Sequence, residues 1–312
     1  MKNNNSLASF DSAIKPLTAN LKQVLRKLPD SYKSNIQEIR LRSFKAVCVL
    51  VNGINMYVCK NGKLTKDINE DLLTASHNDV INCFHSVCNY SVYSHQNEIK
   101  NGFVTFKGGH RVGVAGCAVI NDGKMSGIRD IFSLNIRVAK EFIGAADELL
   151  YKLGKNLDGI LIAGKPACGK TTLLRDIARQ LSLRKKISVV DQRGEIASVC
   201  AGISYYNLGN SDILTGYPKE IGILQSIRCL SPDIIICDEI GTKEETLAIE
   251  QGLNAGVGII ASVHCSNMEE LRRRPQIKKL LSTGAFDKVV LMSDSENPGK
   301  IKGIYKIGDY IA

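Results

Sequence analysis

The segment Gly164-Lys165-Pro166-Ala167-Cys168-Gly169-Lys170-Thr171 has the spacing G-x-x-x-x-G-K-[ST], between an apolar run at Gly159 to Ala163 and a helical pattern at Thr171 to Leu181. A loop of this kind aims backbone N–H groups at phosphate oxygens. It needs glycine where a Cβ would block the approach, and the following helix adds the partial positive charge of its N-terminus. The expected roles follow: residues 164 to 171, with Thr172 beside them, cradle the phosphates of a nucleotide, Lys170 contacts the β- and γ-phosphates, and the Thr171 hydroxyl ligates Mg²⁺. The bland alternative is a glycine-rich turn with an exposed lysine. Cys168 reads either as a small tolerated side chain or as a reactive thiol near a helix N-terminus.

A second segment, Pro232-Asp233-Ile234-Ile235-Ile236-Cys237-Asp238-Glu239, reads as a buried strand delivering two adjacent carboxylates at its C-terminal end. In an open parallel sheet that edge binds ligands. Asp238 is expected to hold Mg²⁺ through water, and Glu239 to polarise a water for in-line attack on the γ-phosphate. Two further strand ends carry polar groups. After Val189-Val190 come Asp191 and Glu195, which could reach the same metal and water region or simply cap a helix. After Ile259-Ile260-Ala261-Ser262-Val263 comes His264, placed either to sense the γ-phosphate or to serve the fold. Arg228, in a helix before the Asp238 strand, and Arg111, Arg129 and Arg137 are candidates to stabilise a transferring phosphoryl group, from this chain or another protomer. The cluster Arg272-Arg273-Arg274 with Lys278 and Lys279 reads as a phosphate-binding patch or a solvated helix face.

These residues need elements to position them. From about residue 150 the pattern alternates strands (Gly159 to Ala163, Ile187 to Asp191, Ile234 to Asp238, Val257 to Val263, Phe286 to Met292) with helices (Thr171 to Leu181, Lys219 to Leu230, Glu244 to Leu253, Met268 to Leu281). That predicts an α/β domain with a parallel core sheet and crossover helices. A final hairpin is expected around Asn297-Pro298-Gly299, with Ile301 to Ile307 returning. The first half predicts a smaller mixed α+β domain. It has a helix at Leu17 to Leu28, strands at Ile36 to Leu41, Val47 to Val51 and Ile54 to Cys59, a helix at His77 to Val87, and strands at Phe103 to Phe106 and Arg111 to Ile120. The expected division is 1–145 and 146–312, with the boundary between Ala139 and Leu157.

Composition bounds the rest. With 312 residues, 44% apolar and 23% charged, the chain can bury two cores, which excludes disorder, collagen-like repeats and a heptad rod as the main architecture. No apolar run approaches the roughly 20 residues a membrane-crossing helix needs, and Met1 to Phe10 lacks the apolar segment of a secretory signal. A cytosolic protein is expected. The ten cysteines form no Cys-x-x-Cys pair, so neither disulfides nor a structural metal are expected. The net charge of +10, spread over both halves, is compatible with nucleic acid, anionic lipid or acidic partners, and equally with solvated surface.

The phosphate loop together with Glu38-Ile39-Arg40-Leu41-Arg42, Gly108-Gly109-His110-Arg111-Val112-Gly113, Arg129-Asp130-Ile131, Asn135-Ile136-Arg137-Val138-Ala139, Asp191-Gln192-Arg193-Gly194-Glu195-Ile196-Ala197 and Pro232 to Gly241 resembles the stage III sporulation protein AA family, from about residue 20 to the end. The resemblance implies a RecA-like motor related to the secretion and pilus ATPases, working as a hexameric ring. It implies ATP and Mg²⁺ as ligands, and membrane proteins of a channel between mother cell and forespore as partners, met at the cytosolic face of the mother cell. It also implies an acidic box at Asp191 and Glu195 and a histidine box at His264. Gln192 stands where related sequences often carry an acid, which leaves Glu239 and Glu195 as the better catalytic candidates. A nucleic-acid translocase and a scaffold that binds nucleotide with little hydrolysis are the rival readings.

Overall fold

The computed structural model describes residues 2–154, 157–200, 202–294 and 297–309. The chain divides into two compact units, residues 1–141 with 200–205 and residues 142–199 with 206–312. The first unit contains α1 (Lys2–Ala13), α2 (Ala19–Arg26), α3 (Asp30–Lys33), β1 (Ile36–Arg42), β2 (Lys45–Ala46), β3 (Cys48–Val51), β4 (Ile54–Val58), β5 (Leu64–Thr65), β6 (Thr74–Ala75), α4 (His77–Val87), α5 (Gln96–Lys100), β7 (Phe103–Phe106), β8 (His110–Asn121) and β9 (Lys124–Arg137). Its main sheet has the order β5-β4-β3-β1-β9-β8-β7, with every neighbouring pair antiparallel.

Alternation fixes which face of that sheet is buried. Ile39 and Leu41 of β1, Val49 and Val51 of β3, Leu134 and Ile136 of β9 and Val112 of β8 enter one core with Leu21, Val24 and Leu25 of α2 and Val80, Cys83 and Phe84 of α4. Residues one step along each strand point the other way, so Glu38, Arg40 and Arg42 share the opposite face. Helix α4 spans the expected residues because Ser76 caps it: the Ser76 hydroxyl accepts from Asp79 N–H at 3.1 Å, and the Asp79 carboxylate accepts from Ser76 N–H at 2.8 Å.

Helices α1, α3 and α5 and strands β2, β5, β6 and β9 are additions to the expected elements of this unit. Helix α1 forms in a polar, Asn-rich stretch because Phe10, Ala13 and Ile14 pack into the core; burial overrides weak local preference. Strand β9 carries no clean two-residue alternation, because its pairing with β8 slips between Ala115 and Cys117 and again between Val119 and Ile120, and Asp130 sits at φ +49°.

The second unit contains α6 (Asp147–Leu153), β10 (Gly159–Gly164), α7 (Lys170–Leu181) and β11 (Ile187–Asp191); after a small two-stranded sheet of β12 (Val199–Cys200) and β13 (Ile203–Ser204), whose residues 200–205 group with the first unit, it continues with β14 (Asp212–Thr215), α8 (Lys219–Leu230), β15 (Ile234–Cys237), α9 (Lys243–Asn254), β16 (Gly258–His264), α10 (Met268–Arg273), α11 (Pro275–Ser282), β17 (Lys288–Met292) and β18 (Ile301–Lys306). Its seven-stranded sheet runs β14-β11-β15-β16-β10-β17-β18, parallel except for the β17–β18 hairpin. Helices cover both faces, so β10, β11 and β15 are buried at every residue and read as continuous apolar runs rather than alternating ones. This is the expected α/β domain with a RecA-like parallel core.

The helix expected from Met268 to Leu281 is in fact two. Pro275 removes a backbone donor and forces Arg274 into an extended conformation (ψ 115°), which ends α10 and starts α11. The edge strand β14 and helix α6 are also additions, both too short to show a period in sequence. Among the described residues no helix is long and apolar enough to cross a membrane.

Candidate active site

The C-terminal ends of β10, β16, β15 and β11 lie side by side in that order, and each delivers polar residues to one edge. The strand of the phosphate loop and the strand of the two acids are not neighbours. Strand β16 runs between them, with Gly164 opposite His264 and Cys237 opposite Ala261. Ser262 and His264 therefore fill the gap between the loop and the carboxylates.

The phosphate loop leaves β10 at Gly164 and enters α7 at Lys170. Ala167 (φ +60°) and Gly169 (φ +99°) are both left-handed, which curls the backbone back on itself. A Cβ on Gly164 would lie 2.5 Å from Cys168 Sγ, and one on Gly169 would lie 2.9 Å from Gly299 N. The turn of the β17–β18 hairpin rests on the loop: Gly299 N–H donates to Cys168 O at 2.8 Å, and Lys165 pairs with Asp294 at 3.0 Å. Pro166 and Ala167 are exposed, and Thr172 is half-buried in the first turn of α7. Cys168 is fully buried, and burial raises its thiol pKa, so it is a packing residue and not a reactive thiol.

Lys170 is buried and folds over the loop, donating to Gly164 O and Lys165 O, each at 2.9 Å, and to His264 Nδ1 at 3.1 Å. An ammonium only donates, so Nδ1 accepts and the ring hydrogen sits on Nε2. Nε2 then donates to Glu239 Oε1 at 2.6 Å. Thr171 Oγ1 donates to Asp238 Oδ2 at 2.6 Å, while the Ser262 hydroxyl bonds the other Asp238 oxygen and accepts from Glu239 N–H at 3.0 Å. A hydroxyl and a carboxylate held this close are the hard oxygen donors that suit Mg²⁺.

Glu239 stands at φ +52°, a backbone region that costs a non-glycine residue roughly 1–2 kcal/mol. Its neighbours hold it there. Arg193 pairs with Oε2 at 2.7 Å, and Lys219 donates to the Glu239 carbonyl. Lys219 also pairs at 2.8 Å with Glu245, whose carboxylate accepts from Gly241 N–H and Thr242 N–H. Burial works against ionising Glu245, but the Lys219 hydrogen bond and the two backbone donors outweigh it and hold the group below the usual glutamate range.

Asp191 is buried, and its carboxylate accepts from the backbone N–H groups of Glu195, Ile196 and Ala197 at 2.8–3.0 Å. Burial dominates those bonds and raises its pKa, with the nearby Asp238 charge adding to the rise. It organises the turn that carries Gln192, Arg193 and Glu195. Arg175 ties the same turn to α7 by donating to Ile196 O and Glu195 O. A cavity of about 20 Å³, room for about one water, lies among Asp191, Arg193, Glu195, Lys219, Asp238 and Glu239.

Other expected residues fall elsewhere. Arg228 is exposed in the last turn of α8, six residues before the start of β15, at the opposite edge of the sheet from Asp238. Its own chain's constellation excludes it. Arg111 and Arg137 belong to the first unit, where they face each other on β8 and β9. Arg111 lies 3.6 Å over the Phe103 ring, and Arg137 is 3.5 Å from Glu38. Arg129 pairs with Asp130 at 3.7 Å. The basic cluster is partly committed, since Arg274 donates to His264 O at 2.8 Å and pairs with Glu270. Sequence reasoning missed Arg193, Lys219, Glu245 and Ser262, and it read Arg274 only as part of the basic cluster, not as a partner of the His264 carbonyl. Lys219 left a signal: a cation in the first turn of a helix opposes the dipole and implies an acceptor nearby.

The profile of the family described as "Sporulation stage III, protein AA" matches residues 11–310. The stage III sporulation protein AA of Bacillus subtilis is 37% identical over 297 residues, spanning 93% of this chain and 92% of the relative. Among solved structures, the Legionella pneumophila ATPase DotB superposes with a TM-score of 0.53 at 15% identity, over 87% of this chain and 74% of DotB. The pilus retraction motor PilT with bound ADP gives 0.50 at 14% identity, over 82% and 74%. At these identities the two structures establish the fold.

Proposed function

The chain belongs to the stage III sporulation protein AA family, and from that premise we propose that it is a Mg²⁺-dependent ATPase whose turnover moves membrane partners during endospore formation. The observation that carries the reading is the continuous chain Lys170–His264–Glu239, which joins the phosphate-binding lysine to the carboxylate placed to act on water. In this reading Gly164 to Thr172 cradle the triphosphate through backbone N–H groups. Lys170 exchanges the Gly164 and Lys165 carbonyls for β- and γ-phosphate oxygens.

Thr171 and Asp238 would hold Mg²⁺, which neutralises charge on the phosphates. Glu239 takes the proton of a water lodged beside Glu195, and it must first part from Arg193. His264 senses the departure of Lys170 and shifts its hold on Glu239, so occupancy of the loop is reported to the base. Asp191 is a positioning residue for Glu195 and Arg193. Arg111 and Arg137 are proposed as nucleotide contacts, and Arg228 as a contact across protomers of a hexameric ring. The setting is the mother-cell cytoplasm, docked on membrane proteins of the channel to the forespore.

Phosphate release by the purified chain with ATP and Mg²⁺, together with sizing in the presence and absence of ATP, tests this reading. Lys170→Ala should abolish nucleotide binding, while Glu239→Gln should retain bound ATP and lose turnover by about a hundredfold or more. Unchanged turnover in both variants refutes the site. A translocase would instead show turnover stimulated by nucleic acid and suppressed by salt. A scaffold would assemble with ATP without releasing phosphate.

A further inference from the structure

The outward face of the first unit's sheet carries a second concave surface, far in chemistry from the phosphate loop. Register places Thr65, Tyr57, Cys48, Arg40, Asn135, Gly113 and Phe103 in one row across its seven strands. A parallel row holds Asn55, Leu50, Glu38, Arg137, Arg111 and Thr105. Between the β1, β3, β4 and β5 ends of these rows lies a cavity of about 330 Å³, lined by Arg40, Arg42, Cys48, Asn55, Tyr57 and Lys66 among others, with no carboxylate in its lining.

The charges there are unevenly answered. Glu38 lies on this face and is fully used: it takes Arg40 at 2.6 Å, Asn135 at 3.1 Å and Arg137 at 3.5 Å. Among the described residues no acidic side chain pairs with Arg42, whose polar neighbour is Cys48 Sγ at 3.8 Å, nor with Lys66. Two cations converging on a concave surface without a counter-charge make a site for an anion. A guanidinium fork matches the oxygens of a phosphate. The Tyr57 ring and the Asn55 amide offer a planar surface and a hydrogen-bonding edge beside it. A volume of about 330 Å³ lies at the small end of ligand pockets, large enough for one nucleotide-sized molecule.

We propose that this cavity binds a small phosphate monoester bearing a ring, of nucleoside-monophosphate size, with Arg42 and Lys66 on the phosphate and Tyr57 and Asn55 on the ring. The site is separate from the phosphate loop and does not depend on the ATPase reading. The probe is adenosine monophosphate, titrated calorimetrically into the full chain carrying Lys170→Ala, so that the phosphate loop does not contribute. Saturable binding is expected, weakened about tenfold or more when Arg42→Gln and Lys66→Gln are added, and retained with Lys66→Arg.

Thermal melts check that each variant is folded. Should the combined variant unfold, Lys66→Gln alone, at an exposed position, gives the reading and must still weaken binding. No saturable binding at millimolar ligand overturns the proposal. So does equal binding by the cation-removed variants, or tighter binding of a single-stranded oligothymidylate than of the monophosphate, which would make this face a nucleic-acid platform.

Discussion

Replacing Lys219 by methionine tests whether the loop carrying Glu239 is held by a buried charge pair. The two side chains, Lys219 and Glu245, are 12% and 6% exposed and meet at 2.8 Å. The lysine also donates to the Glu239 carbonyl. Methionine keeps the length and apolar stem but leaves the Glu245 carboxylate buried with only its backbone donors, Gly241 N–H at 2.7 Å and Thr242 N–H at 2.9 Å. Removing one partner of a buried pair costs about 3–5 kcal/mol, and the two retained donors put Lys219→Met at about 3 kcal/mol. Urea unfolding at neutral pH measures it.

The sign of the pH dependence is fixed. In the parent chain Glu245 titrates below its ordinary value of 4.5, so its contribution is complete above that value and is lost as pH falls through the folded pKa. In Lys219→Met the carboxyl loses its cation and its folded pKa rises. The stability gap between the two proteins should therefore be full at neutral pH and shrink in acid. Adding Glu245→Gln should restore part of the loss, because the stranded charge is gone. ATP turnover should fall about tenfold or more, since Glu239 loses the support of its carbonyl. A loss under about 1 kcal/mol, or a double variant as unstable as the sum of the two single ones, refutes the reasoning.

Glu239→Gly should relieve the left-handed backbone at φ +52° and raise stability by about 1 kcal/mol in urea unfolding while removing ATP turnover; a destabilised variant would contradict the strain. Gly169→Ala meets both a φ of +99° and a Cβ position 2.9 Å from Gly299 N, so it should weaken ATP binding at least about tenfold in titration; unchanged affinity would contradict the close approach. His110 is buried with its Nδ1 accepting from Ala139 N–H at 3.0 Å, and burial lowers its pKa from 6.5 to about 4. The unfolded chain thus binds the extra proton first. Stability should be full above pH 6.5 and fall by about 3 kcal/mol as pH drops to 4, at about 1.4 kcal/mol per pKa unit, a slope that denaturant titrations should find missing in His110→Gln. Arg193→Ala should leave the Glu239 carboxylate with His264 alone and change the rate of ATP turnover while the melting temperature stays within a few degrees, because the Arg193 side chain is 66% exposed.

Much of this protein was legible in the order of its residues. The phosphate loop is local: two glycines, a lysine and a threonine at fixed spacing between a strand and a helix act through their own backbone, so position in sequence is position in space. The buried strands β10, β11 and β15 are as plain, because covering a parallel sheet on both faces requires unbroken apolar runs. Helix α4 shows in the helical spacing of its apolar residues from His77 to Val87. Sequence could also mark Asp238, Glu239 and His264 as strand-end residues, since that edge is where such sheets bind.

What sequence did not contain was the order of the strands. Only the tertiary structure inserts β16 between β10 and β15, and that single arrangement sets His264 between Lys170 and Glu239, and Ser262 against Asp238. It also turns Asp191 inward onto three backbone donors and carries Arg228 to the far edge. Partners such as Lys219 with Glu245, or Arg274 with the His264 carbonyl, come from different elements, and long-range pairing leaves no period in a sequence. The residues specify which chemistry is present; the packing of strands and helices specifies which of them meet.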